Sequence, residues 1–175
     1  MNIILIGYRG SGKSTVGRSL AYRMRRRFVD TDDLIESKEG KISDIVKSHG
    51  WDYFRGVEKR IVEEISQEDN LVIALGGGAV LDPDNTVNLE RNGFIIWLKA
   101  DREVLRKRME QDPRTFASRP TLTGKGAVEE LDEMIAYRNP FYDKAAKIQF
   151  DTSTLDVEAV VENILTVLKE KMGRI

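Results

Sequence analysis

Gly7-Tyr8-Arg9-Gly10-Ser11-Gly12-Lys13-Ser14 is the stretch that decides how this chain folds. It fills every fixed position of the pattern G-x-x-x-x-G-K-[ST]. A short isoleucine-rich run, residues 2–6, precedes it. A helical pattern follows over 14–27, with Val16, Leu20 and Met24 at i, i+4 and i+8. Strand, glycine-rich turn and helix is the context this motif requires. Glycines let the backbone curl so that successive N–H groups converge on phosphate oxygens. The helix that follows points its positive dipole end at the same place. Lys13 is placed to reach the β- and γ-phosphates of a nucleotide, and the Ser14 hydroxyl to hold Mg²⁺. A plain strand–turn–helix with incidental glycines is the bland alternative, and a full match in full context outweighs it.

Outward from the loop, the chain alternates. Apolar strand-like runs recur at 28–29, 71–75, 94–98 and 147–150. Helical patterns lie between them. Short turns fall at 34–35 and 42–46, and a longer helix at 51–67 carries Phe54, Val57, Ile61 and Ile65 on one face. Further helices are expected at 85–92, with Gly93 as their C′ stop, at 102–111 and at 128–137. The last, 155–171, places Val157, Val160, Val161, Ile164, Leu165 and Leu168 on one apolar stripe. Continuous apolar strands alternating with helices predict an α/β fold whose parallel sheet is covered on both faces. With 175 residues and no linker or repeat, one domain over 1–175 is expected. The polar stretch 111–126, with Pro120, Gly124 and Gly126, reads as a small lid.

Composition removes several classes of chemistry. There are no cysteines, so disulfides, thiolate metal sites and cysteine nucleophiles are excluded. A single histidine, His49, leaves no multi-histidine metal site, and its place before Gly50 suggests a helix end. The 28 basic and 29 acidic residues give a net charge of −1, so no overall field draws in nucleic acid or a membrane surface. No apolar run is long enough to span a bilayer. With no basic leader before the first strand, a cytoplasmic protein is expected. The cluster Arg23, Arg25, Arg26 and Arg27 reads as a solvated helix end, not a nucleic-acid patch.

A P-loop alone does not name an activity. No Asn/Thr-Lys-x-Asp segment is present to read guanine, and the chain is too short for a motor, so a small-molecule kinase is favoured. Three features describe its second substrate. Asp30-Thr31-Asp32 closes the second strand, where strand ends face the ligand crevice. These carboxylates can hold Mg²⁺ or take up an acceptor proton, or else Thr31, Asp32 or Asp33 can cap the next helix. Gly76-Gly77-Gly78 follows the third strand, either for close backbone approach to a ligand or for a sharp turn. Arg55 with Glu58 one turn later is either a surface pair contributing about 0.3–0.5 kcal/mol or an oriented grip on an anion. Arg138 precedes Asn139-Pro140, where the helix should break. It can pair with the last carbonyls of that helix or with substrate.

Taken together these segments resemble the shikimate kinases over essentially the whole chain. The matching elements stand in family order: the loop at 7–14, Asp30-Thr31-Asp32, Phe54-Arg55 with Glu58, Leu75-Gly76-Gly77-Gly78, Arg119-Pro120, and Arg138-Asn139-Pro140 with Tyr142. The resemblance implies a nucleoside-monophosphate-kinase-like P-loop three-layer sandwich with a five-stranded parallel sheet and a closing lid. It implies transfer of the ATP γ-phosphoryl group to the 3-hydroxyl of shikimate, giving shikimate 3-phosphate and ADP, in chorismate and aromatic amino-acid biosynthesis. Gly10, Ser11, Gly12, Lys13, Ser14 and Thr15 would hold ATP together with Arg108 and Arg119, while Ser14 and Asp30 would serve Mg²⁺. Lys13, Asp32 and Arg119 would be catalytic. Asp32, Arg55, Gly76, Gly77, Gly78 and Arg138 would bind shikimate, within a substrate segment at about 31–60 and beyond it. The implied protein is a cytoplasmic monomer with no nucleic-acid or membrane partner.

The segment from Gln111 to Ser118 departs from the family pattern by carrying extra residues, Asp112-Pro113-Arg114, which makes Arg114 an alternative to Arg119. The adenine-stacking arginine falls at Arg106 or Arg108, with Arg108 preferred, and further adenine contacts are expected near Ser153 and Thr154. Two rival readings stand beside this one. They are a same-fold kinase acting on gluconate or a nucleotide, and a catalytically silent homologue that binds ligand and regulates a partner.

Overall fold

The computed structural model describes residues 1–112 and 131–173. Five parallel strands form one sheet in the order β2-β3-β1-β4-β5. They are β1 (Asn2–Ile6), β2 (Arg27–Asp30), β3 (Leu71–Ala74), β4 (Gly93–Lys99) and β5 (Ile148–Asp151). Pairing is in register from Ile3 to Val72 on one side of β1 and from Ile3 to Phe94 on the other. Seven helices pack on the sheet among the described residues: α1 (Lys13–Met24), α2 (Thr31–Glu39), α3 (Ile42–Ser66), α4 (Pro83–Arg91), α5 (Arg102–Gln111), α6 (Leu131–Ala145) and α7 (Val157–Met172). The expected α/β three-layer architecture is the observed one.

Strand geometry explains the two cores, because alternate side chains leave a strand on opposite faces. Ile3 and Leu5 of β1, Val72 of β3, and Ile96 and Leu98 of β4 meet α1 and α7 on one face. Ile4 and Ile6, Leu71 and Ile73, and Ile95 and Trp97 meet the other helices on the opposite face. Every residue of β1 is buried, as a central parallel strand requires. A smaller third cluster joins Ile35 of α2 to Ile42, Ile45, Phe54, Val57 and Ile61 of α3. That cluster underlies the segment expected to bind the second substrate.

Several element ends differ from the sequence expectation. α1 stops at Met24, with Arg25 at φ 53° as its C-cap, and Arg27 belongs to β2. The arginine cluster is therefore split: Arg23 pairs with Glu162 of α7, and Arg26 donates to the Met1 carbonyl at 2.8 Å. The two helical segments at 42–46 and 51–67 are one element kinked at Gly50, whose φ is 82°. His49 does stand at the end of the first half. Gly93 is not a left-handed stop but the first residue of β4, and a Cβ there would run into Ile4 and the Leu89 carbonyl. α6 continues through Pro140 to Ala145 where a break was expected. No helix among the described residues is long and apolar enough to cross a membrane.

Candidate active site

The phosphate loop leaves β1 as three turns that only glycine enters cheaply. Gly7, Gly10 and Gly12 have φ of 142°, 80° and 92°. Gly12 is the N-cap of α1 and offers no side chain, so no side chain caps the first amides of that helix. Uncapped amides at a helix start form an anion site. Lys13 Nζ lies across the loop and donates to the carbonyls of Gly7 and Tyr8, each at 2.8 Å. Ser11 is buried, and its hydroxyl has no hydrogen-bond partner among the described residues. Beside the loop opens a cavity of about 380 Å³, lined by residues 9–16 together with Asp30, Asp32, Arg108 and Thr152. That volume suits a small ligand.

Asp30 joins the loop to the second strand. Its Oδ2 accepts from the Ser14 hydroxyl at 2.6 Å, and its Oδ1 accepts from the Asp32 amide at 3.1 Å. The second bond makes Asp30 itself the N-cap of α2, a role the sequence had offered to its three successors. Burial pushes the Asp30 carboxyl above its ordinary range, the Ser14 bond opposes that, and Asp32 and Asp33 add to it. A cation beside Asp30 would offset this cost. A hydroxyl and a carboxylate are the hard oxygen donors that Mg²⁺ takes. No group of three or more His, Cys, Asp or Glu gathers elsewhere among the described residues. Such a set fits an ion carried mostly by phosphates and water, the usual state of Mg²⁺ with a nucleotide.

The acceptor side is built around Gly76-Gly77-Gly78. None of the three has a positive φ; Gly77 and Gly78 form a turn closed by the Ala79 amide on the Gly76 carbonyl at 3.0 Å, and all three positions are also short of space for a side chain. A Cβ on Gly76 would fall 2.7 Å from Asp32 Oδ1 and 2.8 Å from Glu58 Oε1. One on Gly77 would fall 3.2 Å from Arg138 Nη1, and one on Gly78 would lie 2.6 Å from Arg55 Nη1. Two guanidinium groups and two carboxylates thus close in on one bare stretch of backbone. The Gly76 amide donates to the buried Thr31 hydroxyl at 2.8 Å, and Tyr142 donates to the Gly77 carbonyl at 2.6 Å. These bonds fix the run on both sides.

Arg55 and Glu58 are not the surface pair that spacing alone allows. Glu58 is 2% exposed and accepts from Arg55 Nη1 at 2.5 Å. Burial raises the Glu58 carboxyl, and the Arg55 charge only partly opposes this. The Arg55 guanidinium is held over Trp51 and Phe54, 5.5 and 5.2 Å from their ring centroids. A carboxylate and two rings therefore aim it at the glycines. Arg138 Nε is buried with no hydrogen-bond partner among the described residues.

The two arginines considered for adenine differ in their surroundings. Arg108 reaches the loop, donating to the Gly10 carbonyl at 3.2 Å and to the Thr152 carbonyl at 2.7 Å. Arg106 is spent on exposed pairs with Glu103 and Glu110. Thr152 and Leu155 line the cavity where Ser153 and Thr154 were expected. Thr152 Oγ1 lies within hydrogen-bond distance of the carbonyls of Ser11 and Lys99, at 3.1 and 3.0 Å. Arg114, Arg119 and most of the expected lid at 111–126 lie outside the described residues. Thr152, Tyr8 and the anchoring hydroxyl of Tyr142 were not found as site residues by sequence reasoning. Tyr8 occupies a variable position of the loop motif, so no pattern marks it.

A family model described as shikimate kinase matches residues 9–169. The chain is 42% identical over 175 residues to a shikimate kinase of Symbiobacterium thermophilum, covering 99% of each chain. It is 40% identical over 173 residues to one from Syntrophus aciditrophicus, covering 94% of this chain and 89% of that one. Among solved structures, it resembles the shikimate kinase from Acinetobacter baumannii in complex with shikimate, with a TM-score of 0.89 and 32% identity over 98% of this chain and 94% of that one.

The buried Glu58 carboxyl makes a stability prediction. Its folded pKa is raised above its unfolded value, so the folded state holds the proton more tightly. Its cost is absent below the unfolded pKa and grows as pH rises through the raised folded value. Glu58→Gln should therefore flatten the fall in thermal midpoint on going from acid towards neutral pH, read by calorimetry across that range. An unchanged pH slope would show that Arg55 fully compensates the burial.

Proposed function

The chain belongs to the shikimate kinase family, and on that premise we propose that it transfers the γ-phosphoryl group of ATP to the 3-hydroxyl of shikimate. The observation that carries this reading is the convergence of Arg55 and Arg138 on Gly77 and Gly78 beside the phosphate loop. Shikimate is a rigid ring with one carboxylate and three hydroxyls. An arginine fork reads a carboxylate in its own plane, and bare glycine backbone admits a flat ring at close range.

Each residue then has a part. The amides of Gly10, Ser11, Gly12, Lys13, Ser14 and Thr15 hold the phosphates of ATP. Lys13 exchanges the Gly7 and Tyr8 carbonyls for the β- and γ-phosphates. Arg55, steadied by Glu58, and Arg138 hold the shikimate carboxylate, and Gly76, Gly77 and Gly78 pack against its ring. Asp32 accepts a hydrogen bond from the 3-hydroxyl and takes its proton as that oxygen bonds to the γ-phosphorus. The bond from the γ-phosphorus to the bridging oxygen breaks, and ADP leaves with its electrons. Ser14 and Asp30 would hold Mg²⁺, which supplies charge neutralisation at the β- and γ-oxygens when bound. Arg108 faces the adenine end. Arg119 and a lid at 111–126 are carried over from the family resemblance alone, as the source of positive charge at the transferred group and of water exclusion; Arg119 lies outside the described residues. We further propose that residues 1–175 act as one domain and as a monomer in the cytoplasm.

ADP release measured with shikimate, gluconate and AMP as separate acceptors tests the substrate assignment. Turnover with shikimate alone is expected, and turnover with gluconate or AMP but not shikimate would overturn it. Asp32→Asn should lower kcat by about two to four orders of magnitude, the range of a lost general base, with ATP affinity little changed. Near-normal kcat would remove Asp32 from the chemistry.

A further inference from the structure

We propose that Tyr8, a side chain of the phosphate loop, is a positioning residue for Arg138 and so sets the arm that grips the acceptor's carboxylate. The inference rests on the reading of Arg138 given above.

Tyr8 leaves the loop and enters the α6 side of the core, where it is buried. Its hydroxyl donates to the Ile135 carbonyl at 2.8 Å and lies 3.2 Å from the Met134 carbonyl and 3.1 Å from Asn139 Oδ1. These atoms belong to the turn that presents Arg138. Pro140 follows two residues later and leaves the Ala136 carbonyl without its helical N–H donor. The Tyr8 hydroxyl bonds the two carbonyls just before that gap, and a side chain inserted into a helix's ladder sets its local path. Pro140 was expected to end α6, yet the helix runs on to Ala145.

The ring of Tyr8 does a second job. It meets the Tyr142 ring edge-on at 5.1 Å, and Tyr142 stacks at 5.5 Å on Trp97. Tyr142 is fully buried, and its hydroxyl donates to the Gly77 carbonyl. Burial pushes that phenol up to about 12, and the Arg138 charge beside it acts in the opposite direction. A Cβ on Gly77 would fall 3.5 Å from the Gly7 carbonyl as well as 3.2 Å from Arg138 Nη1. Loop, bare glycine backbone and Arg138 therefore form one packed unit, with Tyr8 reaching from the first to the last. A tyrosine needed only for packing would require a partner for its hydroxyl, but not one in the turn that carries the substrate arginine.

The geometry also ties Arg138 to the nucleotide side. The Tyr8 carbonyl accepts from Lys13 Nζ, so movement of Lys13 onto phosphate alters the same residue whose side chain holds α6.

A double-mutant cycle on the full chain tests this. Tyr8→Phe keeps the ring and removes the hydroxyl. It should raise the shikimate KM about five- to tenfold, the effect of one lost hydrogen bond, with kcat and ATP KM close to wild type and the thermal midpoint lowered by about 2–4 °C. In an Arg138→Lys background the same change should raise the shikimate KM less than about twofold, because the two residues act as a unit. A parallel rise in the ATP KM would mark a purely structural role and overturn the proposal, as would equal effects in both backgrounds. If Tyr8→Phe does not fold, Asn139→Ala, which removes the hydroxyl's side-chain partner, is read in the same cycle against the same two outcomes. Failure of the wild-type protein to phosphorylate shikimate would overturn the functional reading as well, whereas active wild type with additive variants overturns this proposal alone.

Discussion

Every functional group of this protein depends on a single constraint: five parallel strands must end at the same edge. The central strand β1 is hydrogen-bonded on both sides and buried along its length. Its chain can leave only at the carboxyl end, where it must turn at once into α1. The glycine loop is the solution to that turn, and its amides are left facing outward as an anion site. β2 ends on Asp30 and β3 runs into Gly76-Gly77-Gly78 at the same edge. Phosphate cradle, carboxylate and substrate floor are therefore neighbours because of the sheet and not because of their order in the chain.

Preparing this crevice costs stability. Asp30 and Glu58 are both buried, and both carboxyls are pushed up by that burial. Partners reduce the penalty without removing it: Ser14 for the first, Arg55 for the second. The three glycines give up side chains that would otherwise fill the gap between Arg55, Asp32 and Arg138. Groups held at such a cost gain from a charge of opposite sign placed beside them.

The sheet, its helices and the loop were legible because each rests on local rules. Buried strands read as apolar runs, and the motif at 7–14 dictates its own turn. Arg55 and Glu58 were legible as a pair but not in their environment, since spacing on a helix does not tell an exposed face from a buried one. The glycine run offered two meanings, and both hold: it turns at Gly77 and Gly78 and has little room for a side chain at any of its three positions. Helix ends were the weakest. Gly93 resembles a helix stop by composition, but the Leu89 carbonyl and the Ile4 side chain leave no room for a Cβ there. Pro140 resembles a break, and the chain continues helical where the Tyr8 hydroxyl reaches its preceding turn.

The most direct measurement is a crystal structure of the protein with shikimate and ADP. The shikimate carboxylate is expected between the guanidinium groups of Arg55 and Arg138, the ring against Gly77 and Gly78, and the 3-hydroxyl on Asp32 facing the phosphate loop. A carboxylate bound instead at Lys13 or in the loop's amides, with the 3-hydroxyl turned away from Asp32, would contradict the site described above.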